Sequence, residues 1–320
     1  MKFLKYSSVK ILASLATTCV LFVFQTKAQA LKIMVVNDDG YQAEGIKVLF
    51  DTLQAAGHEV TIVAPKQDQS GIGTSINAAR ILQPTEVVNY DSNRWYVDAT
   101  PTVTTWAGLD FILKENKPDL VISGINQGEN VGLFAVSSGT VSAAVAALNR
   151  GVPAIAISAG INQAESSTGY PSTLQAYKTG ANFIVTLIQE LEAKKKPNST
   201  ILPPGIGLNI NIPVRFPNGV SGIQGVALTR FDSVTPFDIT FGELPTGTGV
   251  GLKFEPVSPS SNTAPNSDSE GGQFLSGFIT VTPIDGDWSS LTYKDWAKLR
   301  RQLPVLPSST LKLLSIPGIP

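Results

Sequence analysis

The 320-residue chain has one cysteine, Cys19, and one histidine, His58. These two shortages exclude most nucleophilic catalysis, because Ser-His-Asp and Cys-His chemistry need an imidazole base beside the nucleophile. His58 sits between a helical pattern and an apolar run, where it is expected to be structural. One cysteine cannot form an internal disulfide. Charge is scarce and balanced: 15% of residues are charged, 24 basic against 25 acidic. A chain so balanced has no concentrated basic face with which to follow a nucleic-acid polymer. Internal repeats and coiled-coil heptads are absent, and the long apolar stretch from Ile11 to Phe24 falls short of the about 20 residues that span a membrane.

That stretch follows Lys2, Lys5 and Lys10 and precedes Ala28-Gln29-Ala30. A basic start, an apolar middle and a small-x-small end describe a secretory signal peptide over residues 1–30. The expectation is an exported protein, periplasmic or extracellular, whose mature chain begins near Leu31 without cysteine and without a membrane anchor.

Beyond the leader, strand-like and helix-like runs alternate. Leu31 to Val36, His58 to Ala64, Arg94 to Val97, Asp119 to Ser123, Val152 to Ser158 and Leu208 to Val214 predict strands. Gly45 to Ala56, Val103 to Lys114, Val141 to Leu148 and Leu174 to Lys195 predict helices, the third apolar on every side and so buried. This alternation specifies an α/β fold: a doubly wound, Rossmann-like, mostly parallel sheet with helices on both faces. Residues 31–222 form that core. Residues 223–302 read as an extension with a projecting β-hairpin around Ile239–Phe241 and Gly251–Phe254, a mobile loop over Ser258–Gly272 and a last strand at Phe278–Thr282. Residues 303–320 form a Pro/Ser-rich tail.

The first strand runs straight into Asn37-Asp38-Asp39-Gly40, with no Lys or Arg between Lys32 and Lys47. Such a tetrapeptide is common in ordinary turns. At the carboxyl end of a parallel strand, where ligands of these sheets bind, two adjacent carboxylates also call for a hard cation. Ser70 follows the second strand, and Asn126 lies in the Gly/Asn-rich loop expected after Ser123. Together these residues offer only oxygen ligands, which suit magnesium, manganese or calcium. Ser138-Gly139-Thr140, ahead of the buried helix, is either a plain N-cap or an anion site at a helix amino end. An aspartyl-phosphatase nucleophile would fall at Asn37, whose amide cannot serve.

Several blocks in order resemble one family, the survival protein SurE group of metal-dependent 5′/3′-nucleotidases. They are Asn37-Asp38-Asp39-Gly40, Ala64-Pro65 with Ser70-Gly71, Ser123 to Gly132, Ser138-Gly139-Thr140-Val141, Leu208 to Pro213 and Thr282-Pro283. The resemblance implies one divalent cation per subunit, magnesium or manganese with calcium as an alternative, held by Asp38, Asp39, Ser70 and Asn126. It implies a phosphate site at Asn130, Ser138, Gly139 and Thr140, and a homodimer or homotetramer built through the hairpin. The activity implied is hydrolysis of nucleoside 5′-monophosphates, and in some members 3′-monophosphates, by a metal-activated water, with Asp38, Asp39 or a second water protonating the leaving oxygen. An exported broad-specificity acid phosphatase and a non-catalytic phosphate-binding protein are the alternatives. The chain departs from the family pattern at Asn77, Val103 and Leu133 to Ser137, where base or sugar contacts are expected to form, and broad substrate tolerance is the expected consequence.

Overall fold

Runs rich in Val and Ile, bounded by Gly, Asn and Pro, become the strands of one mixed sheet. The computed structural model describes residues 30–214, 222–244, 247, 249–256 and 268–287. The leader through residue 29, residues 257–267 of the expected mobile loop, and the tail lie outside the described residues. In chain order the elements are β1 (Lys32–Val36), α1 (Glu44–Ala55), β2 (Glu59–Pro65), β3 (Val87–Asp91), β4 (Arg94–Val97), α2 (Pro101–Ala107), β5 (Leu120–Gln127), α3 (Phe134–Ser137), α4 (Gly139–Leu148), β6 (Ala154–Ala159), α5 (Pro171–Lys194), β7 (Ile206–Ile212), β8 (Gly225–Leu228), β9 (Phe237–Glu243), β10 (Val250–Pro256), α6 (Glu270–Leu275) and β11 (Phe278–Asp285).

The nine-stranded sheet has the order β3-β4-β2-β1-β5-β6-β7-β11-β8. The run from β4 to β7 is parallel throughout, while β3 and β11 pair antiparallel with β4 and β7. Side chains of β1 alternate between two cores, as a strand covered on both faces must. Ile33 and Val35 pack with Ile46, Leu49, Phe50 and Leu53 of α1 and with Ala181, Ile184 and Ile188 of α5. Met34 and Val36 pack on the other face with Val141, Ala143, Ala144 and Ala147 of α4. Spacing of i, i+3, i+4 and i+7 gives α1 its single apolar stripe. By contrast α4 is buried nearly all round, and its alanines let it lie close to the sheet.

Successive crossovers run one way from β1 to β2 and the other way from β5 through β6 to β7, so the winding reverses between β1 and β5. That is the switch point of a doubly wound sheet, and the loops leaving β1 and β5 part there to open a crevice.

The structure corrects several element boundaries. The expected helix Val103–Lys114 begins at Pro101, because Thr100 caps it by accepting from Val103 N and proline suits its first turn. It ends at Ala107 and continues as a π-helical turn, Gly108–Ile112. Strand β5 passes Ser123 through a register shift and reaches Gln127. Asn126 therefore stands on the strand rather than in a loop after it. Strands β3 and β8 went unforeseen, since edge strands lack the two-sided apolar pattern. The end of the expected mobile loop is helical, with Ser269 capping α6.

His58 lies at the amino ends of the strands. Its Nδ1 accepts from Leu31 N at 3.2 Å, and burial holds its pKa below the usual value. His58→Gln is expected to cost about 1 kcal/mol of stability in denaturant melts, the scale of one buried hydrogen bond, with turnover unchanged; lost turnover in a folded variant would contradict a structural role.

Candidate active site

Strand β1 ends because Asn37 turns the chain: its Nδ2 donates to Gly40 O at 2.8 Å. Gln69 N donates to Asp38 O at 2.8 Å and Tyr41 N to Pro65 O at 2.9 Å, so the turn after β1 is tied to the segment after β2. These bonds bring the expected ligands to one crevice. Asp38, Ser70 and Asn126 line a cleft of ≈ 700 Å³ together with Asn130 and Ser138. Asp39 faces the adjoining hollow of ≈ 440 Å³, with Asp68 and Glu44.

Asp38 is only 3% exposed. Its Oδ1 accepts from Thr140 Oγ1 at 2.6 Å, and the Thr140 backbone also bonds this carboxylate. The amino end of α4 thus rests directly on Asp38. Glycine is required for that approach, since a Cβ at Gly139 would lie 2.6 Å from Asp38 Cβ. Asp39 is less well served, with Gln127 N donating to its Oδ2 at a long 3.4 Å.

This difference orders the two acids. Burial pushes Asp38 up to about 6, against the hydrogen bonds from Thr140 that favour its charge. Burial and then the Asp38 charge push Asp39 to about 7, and Asp68 adds repulsion to both. Among the described residues no basic side chain offsets either shift. A buried carboxylate beside a half-buried one, without a cationic neighbour among those residues, is the environment that a hard divalent cation relieves.

The remaining donors fit such an ion. Ser70 is exposed at the cleft, and Asp68 Oδ1 accepts from both its N (2.8 Å) and its Oγ (2.6 Å), which fixes the hydroxyl. Asn126 Nδ2 donates to Gly128 O at 2.7 Å, which commits the nitrogen and leaves the carbonyl oxygen as the atom that could face a cation. The set is all oxygen, as magnesium, manganese and calcium prefer. Among the described residues no cluster of three His, Cys, Asp or Glu side chains offers a competing metal site.

At the phosphate positions, Ser138 Oγ accepts from Val141 N at 3.1 Å and caps α4. Asn130 borders the cleft, yet its Nδ2 donates to Ser158 Oγ at 2.9 Å and to Thr140 Oγ1 at 3.4 Å. Its side chain braces Thr140, which in turn holds Asp38.

Sequence reasoning missed three contributors. Asp68 holds Ser70, although an Asp in a polar loop carries no signal of its own. Glu270, outside every motif, is buried beneath the loop that carries Asn130. Phe237 and Ile239 of β9 line the cleft with Phe134 and Ile161, so the hairpin does not simply project from the core; its i, i+2 spacing puts both on one face. Of the three departures from the family pattern, only the stretch Leu133 to Ser137 reaches this cleft, through Phe134 and Ser137. Asn77 instead caps the turn Ala78–Arg80, and Val103 lies in α2.

Comparisons with known proteins identify the family. The family described as survival protein SurE matches residues 33–235. The chain is 40% identical over 201 residues to the 5′-nucleotidase SurE of Thermosipho melanesiensis, covering 62% of this chain and 71% of that protein. It is 38% identical over 206 residues to the 5′-nucleotidase SurE of Legionella pneumophila, covering 64% and 73%. The crystal structure of the SurE protein from Aquifex aeolicus aligns with a TM-score of 0.65 at 27% identity, over 85% of this chain and 99% of that one. With more than half its length inside the family match, the chain belongs to the survival protein SurE family.

Proposed function

We propose that the protein is a divalent-metal-dependent phosphohydrolase that converts nucleoside 5′-monophosphates to nucleoside and phosphate. The observation that carries this is the adjacent pair of Asp38, buried, and Asp39, half-buried, at the switch point of the sheet with no basic neighbour among the described residues. The relatives named 5′-nucleotidase support the substrate class.

Asp38, Asp39, Ser70 and Asn126 would hold the cation, which when bound supplies a water acidic enough to attack phosphorus and charge to offset the phosphoryl oxygens. The chain's own residues do the rest. Thr140 and the amino end of α4 keep Asp38 ionised and favour the anionic phosphoryl group beside it. The leaving ribose oxygen would take its proton from a second water or from one of the two carboxyls, Asp38 or Asp39. Phe134, Ile161, Phe237 and Ile239 give the nucleoside an apolar wall. Such a wall discriminates weakly among bases, because apolar contacts separate related groups by only about 10- to 200-fold.

We further propose that the protein is exported, on the strength of the leader at residues 1–30, and that it self-associates through the hairpin. Phe241 is 72% exposed and Leu252 65% exposed, on paired strands that belong to no larger sheet. Apolar side chains so placed favour burial against another surface.

Asp38→Asn and Asp39→Asn are each expected to lower kcat by about two orders of magnitude, roughly 3 kcal/mol of transition-state stabilisation, in assays of phosphate release from nucleoside monophosphates. Full activity in excess chelator would refute the metal site.

The pH dependence of the metal-free protein provides a separate check. A carboxyl whose pKa rises on folding destabilises the fold as pH climbs from its unfolded value toward its folded one. Asp39, at about 7, therefore penalises the metal-free fold increasingly up to neutrality. The Tm advantage of Asp39→Asn over the parent should grow from about pH 5 to about pH 8 in chelator and shrink when manganese is added. An advantage that does not vary with pH would contradict the burial argument.

Deleting Asp238 to Lys253 should yield a monomer by light scattering and reduce activity, since Ile239 leaves with the hairpin. An intact protein that is already monomeric at micromolar concentration would refute the association.

A further inference from the structure

The site's loop depends on a carboxylate that the family match, ending at residue 235, does not reach. Glu270, at the start of α6, is fully buried. Its Oε2 accepts from Gly132 N at 2.6 Å. Its Oε1 accepts from Thr282 Oγ1 at 2.8 Å, Asn209 Nδ2 at 3.0 Å and Asn211 Nδ2 at 3.3 Å. Those donors come from the loop after β5, from β7 and from β11, so one side chain joins three segments distant in sequence. Burial pushes this acid up to about 7 against those hydrogen bonds, with no basic partner among the described residues to help. A buried charge held only by neutral donors is costly, and an apolar residue could fill the space without that cost.

The bonds continue from Glu270 into the active site. Asn209 Nδ2 and Asn211 Nδ2 also donate to Asn130 O, at 2.9 and 3.3 Å, and Asn211 Oδ1 accepts from Asn130 N at 2.8 Å. Asn130 Nδ2 then reaches Thr140, which donates to Asp38. The loop is held from its other side as well. Gly132, at φ +55, leaves no room for a Cβ, which would fall 2.6 Å from Asp232 O. Asp232 is itself bonded to Ser269 and to Gly271 N.

We infer that Glu270 is a positioning residue for the phosphate side of the active site, fixing the loop from Gly128 to Leu133 on the sheet so that Asn130 can brace Thr140. The inference rests on the proposed phosphohydrolase reading for its catalytic consequence, though not for its structural one. The C-terminal extension is then part of the active site rather than an appendage used only for assembly. Glu270→Gln keeps size and shape but must turn an amide N–H toward one of the donors. The side holding Gly132 N has a single donor and is where the amide will face, so the loop is released while the Oε1 side persists.

The test compares the parent with Glu270→Gln and the milder Glu270→Asp, using hydrogen exchange on the metal-free proteins and calorimetry with manganese and then inorganic phosphate. In Glu270→Gln the amides of Asn130 and Gly132 should exchange about tenfold faster or more while the β1 and β6 amides stay protected. Phosphate affinity should fall by about tenfold or more, the scale of one lost buried hydrogen bond, with manganese affinity changed far less. Should Glu270→Gln fail to fold, Glu270→Asp is expected to show the same local pattern in weaker form. Unchanged exchange at Gly132 with unchanged phosphate affinity would overturn the inference, as would faster exchange spread evenly over the whole sheet. A parent protein that hydrolyses no nucleotide would overturn the proposed function alone, and the exchange comparison would still judge Glu270.

Discussion

Two adjacent carboxylates, one buried and one half-buried, with no basic side chain facing them among the described residues, are the constraint around which this molecule is arranged. Burial, joined at Asp39 by the charge of Asp38, raises both acids toward neutrality, so the fold carries an electrostatic cost wherever they ionise. The structure meets that cost unevenly. Asp38 receives the hydroxyl and backbone of Thr140 at the amino end of α4, where peptide dipoles favour negative charge. Asp39 receives a single long bond from Gln127. One acid is thereby held as a charge and the other left more basic, a division of roles set by which neighbouring backbone reaches which oxygen.

The position of the pair follows from the winding of the sheet. Parallel strands buried on both faces leave only their ends polar, and the reversal between β1 and β5 separates two loops that would otherwise pack together. Into that gap come Ser70, anchored by Asp68 from the loop after β2, and Asn126, carried on the last residues of β5. The alanine-rich face of α4 and the missing Cβ of Gly139 allow the helix to close on Asp38. Behind this front lies a layer of neutral amides, Asn130, Asn209 and Asn211, with Glu270 at its far end. Amides suit that role because one NH2 group can donate to two segments, as Asn209 and Asn211 each do to Asn130 O and Glu270 Oε1.

The residues that sequence reasoning located were those whose type is chemically unusual for their place. Asp38 and Asp39 stand out because carboxylates rarely end an apolar strand, and Ser138-Gly139-Thr140 because it precedes a helix apolar all round. Asp68 and Glu270 have ordinary surroundings in sequence, a polar loop and a Ser/Asn-rich stretch, and nothing local marks them. Their significance arises from partners 2 residues away in one case and 138 in the other. The hairpin gives the same lesson. Its alternation was legible, but the return of Phe237 and Ile239 to the cleft was not, because strand periodicity fixes which residues share a face and not what that face meets.

What the sequence by itself determined is the alternation of buried strands and helices, the mostly parallel doubly wound sheet, the hairpin, and the identity of an oxygen-rich turn after the first strand. These follow from short-range rules of periodicity, capping and residue chemistry. Only the tertiary structure decided that Asn126 rides on a strand past a register shift, that Asn130 is turned inward to brace Thr140, and that a glutamate from the C-terminal extension holds the loop that carries it. Those outcomes depend on burial and on hydrogen bonds between segments far apart in the chain, and the strength of such bonds is set by the low dielectric of the assembled core, which no stretch of sequence possesses before it folds.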